Sequence, residues 1–152
     1  MAKTKTELKP IAVYGTLRKG LINYNLYLKK SVEAKRSFFI KEQRLYNFKL
    51  YMGTYPYIYP SDSKADSVVV EVYHVEPEVF DDIHNMETNW PNQDSPYELS
   101  AIQLRECGWC CAWPISSLAY ECMKLQLREI PARYHGDFTK YVDEANRLVT
   151  TP

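Results

Sequence analysis

The sequence predicts an α+β fold built on an antiparallel or mixed sheet. Three observations carry this expectation. Extended segments outnumber helical ones, and the helical segments are inserted among the strands rather than alternating regularly with them. Strict two-residue alternation marks one segment, and a β-branched run marks another.

The elements follow in chain order. Ile11-Ala12-Val13-Tyr14 is a short apolar run ending at Gly15, which reads as a buried strand meeting a turn. Gly20 closes that turn, and Ile22 to Lys29 reads as a short helix with Ile22, Leu26 and Lys29 on one side. From Lys35 to Met52 the chain reads as extended. Tyr46, Phe48, Leu50 and Met52 alternate with Asn47, Lys49 and Tyr51, so one face is expected to be buried. Gly53 ends that strand. The two prolines of Tyr55-Pro56-Tyr57-Ile58-Tyr59-Pro60 bar it from a sheet centre. Its three tyrosines fit a pocket rim or a plain surface ribbon equally well.

Val68 to Val75 is the expected central strand. Pro77 suits the first turn of a helix, flanked by Glu76 and Glu78, and Val79, Phe80, Ile83 and Met86 form one amphipathic face. Thr88 to Pro96 is a polar loop. Tyr97 to Arg105 and Trp109 to Ile115 read as a hairpin joined at Cys107-Gly108. Beyond Ile130-Pro131 the chain turns through His135-Gly136-Asp137. A last helix then runs from Thr139 to Val149, with Tyr141, Val142, Ala145 and Leu148 inward.

A chain of 152 residues fits one domain, placed at residues 11–150 behind a flexible polar tail at 1–10. Lys plus Arg and Asp plus Glu both number 19, so the formal charge is zero and gives no electrostatic case for nucleic acid or a membrane surface. No apolar run approaches the length of a membrane span, and the polar start does not resemble a signal peptide. The four cysteines crowd into one stretch, at 107, 110, 111 and 122, where disulfides would tie little together. A reduced, cytoplasmic protein is the expectation. Zinc sites with paired ligands want a second Cys or His pair, and only Cys122 is available, so these read as structural thiols with no metal. His135 and Asp137 read as a helix cap rather than an acid/base pair. His74 and His84 have no metal-binding spacing.

Two places could carry chemistry. Tyr14-Gly15-Thr16-Leu17-Arg18-Lys19-Gly20 is a strand-to-turn-to-helix junction whose consecutive N–H groups can form a nest for a carboxylate or oxyanion, with Gly15 supplying conformational freedom. It lacks the spacing and the ending of a P-loop. Glu87 sits at the end of the amphipathic helix, beside its apolar face. Burial and the helix dipole there both raise a carboxyl pKa toward what a general base needs. A glutamate at a fraying, solvated helix end satisfies the same spacing.

Val13-Tyr14-Gly15-Thr16-Leu17-Arg18-Lys19-Gly20 with Asn23 resembles the opening signature of the γ-glutamylcyclotransferase-like family. Gly53 with Tyr55-Pro56 and Pro60 resembles its Gly-Tyr-Pro segment. Val70-Glu71-Val72-Tyr73 resembles its Gly-Glu-Val-Tyr strand, and Ile83 to Glu87 its Leu-Asp-x-Leu-Glu helix end. Ile130-Pro131 and Gly136-Asp137-Phe138 resemble its closing segment. The likeness spans roughly residues 11 to 142, in order.

The resemblance implies a small closed or nearly closed barrel with a few helices and a pocket beside the first turn. It implies an intramolecular reaction in which the α-amine of a γ-glutamyl compound attacks its own side-chain carbonyl, releasing an amine and 5-oxoproline. Carried over by position, Glu87 is the general acid/base, and Tyr14, Gly15, Thr16 and Leu17 hold the γ-glutamyl part. Tyr97 matches a tyrosine of the family's pocket. No cofactor is implied; the partner is a small γ-glutamyl amine or peptide, and the assembly is a monomer or weak dimer. Val70 stands in place of a glycine, His84 in place of an aspartate and Thr88 in place of a glycine, changes expected around the pocket mouth. A catalytically silent ligand- or protein-binding module on the same barrel is the alternative. An open cavity between Glu87 and the turn favours the enzyme, and one filled by side chains favours the module.

Overall fold

The computed structural model describes residues 7–150, with side chains through residue 146. Its fold is mixed α+β, a curled half-barrel of sheet carrying a few helices. Strands β1 (Lys9–Val13), β2 (Phe38–Tyr46), β5 (Ser67–Val75), β6 (Ser100–Leu104) and β7 (Gly108–Ala112) form one sheet in the order β2-β5-β1-β7-β6. β1 is antiparallel to β5 and parallel to β7, which makes the sheet mixed. A register shift between Phe39 and Lys41 of β2 marks an irregularity of the bulge kind that bends a strand. A second sheet of β3 (Phe48–Met52), β4 (Pro56–Pro60) and β8 (Arg128–Glu129), in the order β4-β3-β8, faces the first.

The central strands β1 and β5 of the large sheet are buried on both faces, and their alternation sorts the residues. Ala12, Val68, Val70 and Val72 join Leu50 and Ile58 in the core between the sheets. Ile11, Val13, Tyr73 and Val75 join Leu28, Phe80 and Ile83 in a second core beneath the helices. This two-sided burial is why β5 reads as a run of valines rather than as an alternating strand. Val70, in the glycine position of the family pattern, is 1% exposed and fills the inter-sheet core.

The helices are α1 (Lys29–Glu33), α2 (Pro77–Thr88), α3 (Ser117–Met123) and α4 (Phe138–Thr150). α2 starts with Pro77 in its first turn and buries Val79, Phe80 and Ile83. Asp137 caps α4, accepting from the Lys140 N–H at 3.2 Å, as its placement beside His135 suggested. In α4, Tyr141 and Val142 pack on the core; Leu148 lies outside the described side chains. Gly136 has φ +71° and lies so close to β5 that a Cβ would fall 2.1 Å from the Ser67 carbonyl oxygen. Only glycine fits that crossing.

Three expectations need correction. The segment after the first turn is a π-helical turn, Tyr24–Leu28, running into α1. Its inward residues are Tyr24 and Leu28, while Ile22 and Leu26 are 66% and 69% exposed. The extended stretch from Lys35 to Met52 is not one strand. Asn47, at φ +64°, breaks it into β2 and β3, which belong to different sheets. The first strand also begins at Lys9, so Lys9 and Pro10 pair with β5 rather than belonging to a tail. Residues 1–6 lie outside the described residues.

Candidate active site

The first turn is held from behind. The Arg18 N–H donates to the Gly15 carbonyl at 3.0 Å, and the Asn23 and Tyr24 N–H groups converge on the Thr16 carbonyl at 3.0 and 3.1 Å. The Asn23 side-chain amide donates to Thr16 Oγ1 at 2.7 Å. With these carbonyls engaged, the N–H groups of Gly15, Thr16 and Leu17 have no hydrogen-bond partner among the described residues. Successive unpaired amides of this kind attract an anion.

Arg18 locks the turn to the sheet. Its side chain is 4% exposed, and it donates to Glu71 Oε2 at 2.8 Å, Asp137 Oδ1 at 2.6 Å and Glu42 Oε1 at 3.0 Å. Glu71 Oε1 also accepts from the Lys19 N–H and from the Tyr73 hydroxyl, both at 2.8 Å. The Tyr14 side chain leaves the same turn inward, and its hydroxyl donates to the Trp113 carbonyl at 3.0 Å.

Glu87 arrives from the last turn of α2, one helical turn beyond the fully buried Ile83. The Ser95 hydroxyl donates to the Glu87 carbonyl oxygen, and the Tyr97 N–H donates to Ser95 Oγ at 3.1 Å, which folds the polar loop back onto the helix end. Among the described residues the Glu87 carboxylate accepts no hydrogen bond. Burial pushes its pKa from 4.5 up to about 7. Burial also raises the phenols of Tyr14 and Tyr97, and the nearby Glu87 carboxylate adds to both shifts.

An inner cavity of about 30 Å³ lies between the turn and Glu87, lined by Tyr14 to Leu17, Glu87, Tyr97, Pro56 and Trp113. An outer cavity of about 260 Å³ shares Thr16, Glu87 and Tyr97 and adds Asn23, Tyr55, Met86 and Trp90. Thus Glu87, Tyr14, Gly15, Thr16, Leu17 and Tyr97, all singled out in the sequence, line one space. Tyr97 donates from its hydroxyl to the Pro56 carbonyl at 2.7 Å and stacks on Tyr57 with ring centroids 5.0 Å apart.

Several expectations around the site change. Gly15 has no positive φ; its lack of a side chain makes room for Pro56, whose Cγ would lie 2.7 Å from an added Cβ. Neither His84 nor Thr88 lines either cavity. His84 Nδ1 accepts from the Trp113 indole N–H at 3.1 Å, and Thr88 donates to the His84 carbonyl at 2.6 Å, so both brace the wall from outside. Tyr55, Tyr57 and Tyr59 do not act as one ribbon: Tyr57 is buried, Tyr55 lines the outer cavity, and Tyr59 stacks on Tyr120 at 3.8 Å. Trp113, Trp90 and the Arg18 network were not read from the sequence. The last had a signal, since Glu71 interrupts the valines of a central strand, and a charge there calls for a buried partner.

Two expected results follow directly. Gly15→Val should drive a side chain into Pro56, which costs about 1–3 kcal/mol of stability, and the displaced turn should bind sulfate or 5-oxoproline more weakly. Calorimetry giving wild-type affinity would remove the turn from the anion site. The cysteines are expected to hold no zinc. Cys110 is buried in β7, Cys111 is partly buried and Cys122 is exposed on α3. Chelators should leave the melting temperature unchanged; one equivalent of zinc by elemental analysis, with unfolding on chelation, would overturn this.

The half-barrel, the braced turn and a partly buried carboxyl lining the same cavity make up the candidate site. Residues 11–140 match the family profile described as "Gamma-glutamyl cyclotransferase, AIG2-like". The chain belongs to this family, which gives it a cyclotransferase-type role in general terms. No curated protein sequence matches it significantly. Among solved structures it is similar to an uncharacterized protein of Pyrococcus horikoshii, at 28% identity over 91% of this chain and 97% of that one, with TM-score 0.65. It is similar to an AIG2-like protein of Mus musculus, at 21% identity over 73% and 79% of the two chains, with TM-score 0.52. It also matches part of the allophanate hydrolase of Kluyveromyces lactis, at 20% identity over 95% of this chain and 22% of that one, with TM-score 0.67. The last two likenesses concern fold alone. No described helix is long and apolar enough to cross a membrane.

Proposed function

We propose that this protein cyclises γ-glutamyl amines or peptides, releasing 5-oxoproline and the amine, with Glu87 as general acid/base. The observation that carries the reading is the Glu87 carboxyl, held near pKa 7 by burial, in a cavity also lined by Gly15, Thr16 and Leu17, whose N–H groups have no partner among the described residues. Those groups would hold the carboxylate of the γ-glutamyl part, whose remaining atoms extend into the outer cavity. Glu87 would accept a proton from the substrate ammonium. The freed amine would attack the γ-carbonyl carbon and close a five-membered ring; Glu87 would return a proton to the departing nitrogen as the C–N bond breaks, then take the second proton from the ring nitrogen and release it to the product amine.

Such a site needs little else. Nucleophile and electrophile already share one molecule, so the protein has to fold the substrate and move a proton. A base with pKa near neutral suits both halves of that transfer, and one positioned group contributes about 10²–10⁴-fold. The cavity of about 260 Å³ that Glu87 shares with Thr16, Asn23 and Tyr97 favours this reading over a silent binding module on the same scaffold. Incubation with a panel of γ-glutamyl amines and peptides tests it: 5-oxoproline should form, and none from any member would reject it.

A further inference from the structure

We propose that the space beyond Glu87, walled by Tyr55, Met86 and Trp90, is a leaving-group subsite for apolar or aromatic amines that carry no carboxylate. The proposal rests on the cyclotransferase reading and adds what the site selects. Trp90 stands edge-on to Tyr55 with ring centroids 5.8 Å apart and to Tyr97 at 6.3 Å. With Met86 these rings enclose the outer cavity of about 260 Å³ directly against Glu87. Past Tyr55 and Trp90 the surface continues as a groove of about 800 Å³, reaching Leu118, Ala119 and Met123 of α3. Leu118 is 78% exposed and Tyr55 48%, so apolar surface remains available for a ligand to cover.

Charge decides the class. Among the described residues lining the cavity and the groove there is no Lys or Arg; the charged side chains are Glu87 and Asp94. A leaving group with its own carboxylate on the carbon beside the departing nitrogen, as in an amino acid or peptide, would place it in the cavity against Glu87, with no cation in the lining to meet it. The unpaired amides of the turn are already committed to the γ-glutamyl carboxylate. An aromatic or aliphatic amine instead meets ring faces, a thioether and the apolar groove, where burial is favourable in proportion to area.

The test compares γ-glutamylphenethylamide with γ-glutamylphenylalanine, which differ only by the leaving group's carboxylate. The kcat/KM for 5-oxoproline release should favour the phenethylamide about tenfold or more, mainly through KM, a ratio within reach of one aromatic contact plus one unpaired charge. Equal values, or preference for the phenylalanine compound, would overturn the proposal. Trp90→Ala should bring the phenethylamide down to within a few-fold of γ-glutamylmethylamide; if that variant does not fold, Tyr55→Ala at an exposed position is expected to shift the ratio the same way. Should no compound yield 5-oxoproline, the cyclotransferase reading falls, and calorimetry with the same pair decides the subsite separately. Tighter binding of the phenethylamide upholds it, and equal or absent binding of both rejects it.

Discussion

Glu87→Gln is expected to cut turnover of γ-glutamyl substrates by about 100-fold or more, because the amide keeps the shape and hydrogen-bonding reach but cannot accept the ammonium proton. The same change should stabilise the fold near neutral pH. The folded pKa of Glu87 lies at about 7, above its ordinary 4.5, so the native state disfavours the charged form. The resulting penalty is absent in acid, grows as pH rises above 4.5, and is complete above pH 7. At 1.36 kcal/mol per pKa unit its full size is about 3 kcal/mol. The glutamine variant should therefore melt several degrees above wild type at pH 8, at about 2–4 °C per kcal/mol, and lose that advantage at pH 4. In wild type the acid limb of kcat/KM should fall near pH 7. A variant turning over at the wild-type rate would end the catalytic role of Glu87. Equal melting temperatures at pH 8 would contradict the burial of its charge.

Arg18→Ala should produce the largest loss of stability. The substitution leaves Glu71 and Asp137, whose side chains are 8% and 13% exposed, without the cation that offsets their burial. Removing one partner from a buried ion pair costs about 3–5 kcal/mol, which for a domain of this size is about 10 °C in melting temperature. Arg18→Lys should recover part of that loss, since one ammonium can reach a carboxylate but cannot fork between several. The loss should extend to the site, because Lys19 and Arg18 together fix the turn to β5 through Glu71. A melting temperature within two degrees of wild type, expected of an exposed pair worth about 0–1 kcal/mol, would show the network to be incidental.

Where local periodicity was clean, the sequence showed the fold plainly. β5, the apolar face of α2 and the hairpin through Gly108 each announce themselves by run, period or turn residue. After the first turn the sequence offers two apolar pairs at the same four-residue spacing, Ile22 with Leu26 and Tyr24 with Leu28, and periodicity does not say which faces in; the structure buries Tyr24 and Leu28. The division of β2 from β3 depended on Asn47 adopting a left-handed conformation, which asparagine tolerates but an alternating pattern conceals. α3 was invisible for another reason: it has no buried residue, so it has no amphipathic stripe to detect. Within the site, the turn and Glu87 were legible, the glutamate mainly through the family resemblance. Trp90, Trp113 and Pro56 were not, because their places on the cavity wall arise from contacts between segments distant in sequence.

The identity of the γ-glutamyl product tests the central claim most directly. Wild-type protein, incubated with a γ-glutamyl amide in ¹⁸O-labelled water, should release amine and unlabelled 5-oxoproline in equal amounts, since ring closure by the substrate's own nitrogen takes no oxygen from solvent. Formation of ¹⁸O-labelled glutamate instead would mean that water, and not the α-amine, attacks the carbonyl, and the cyclisation account would be wrong.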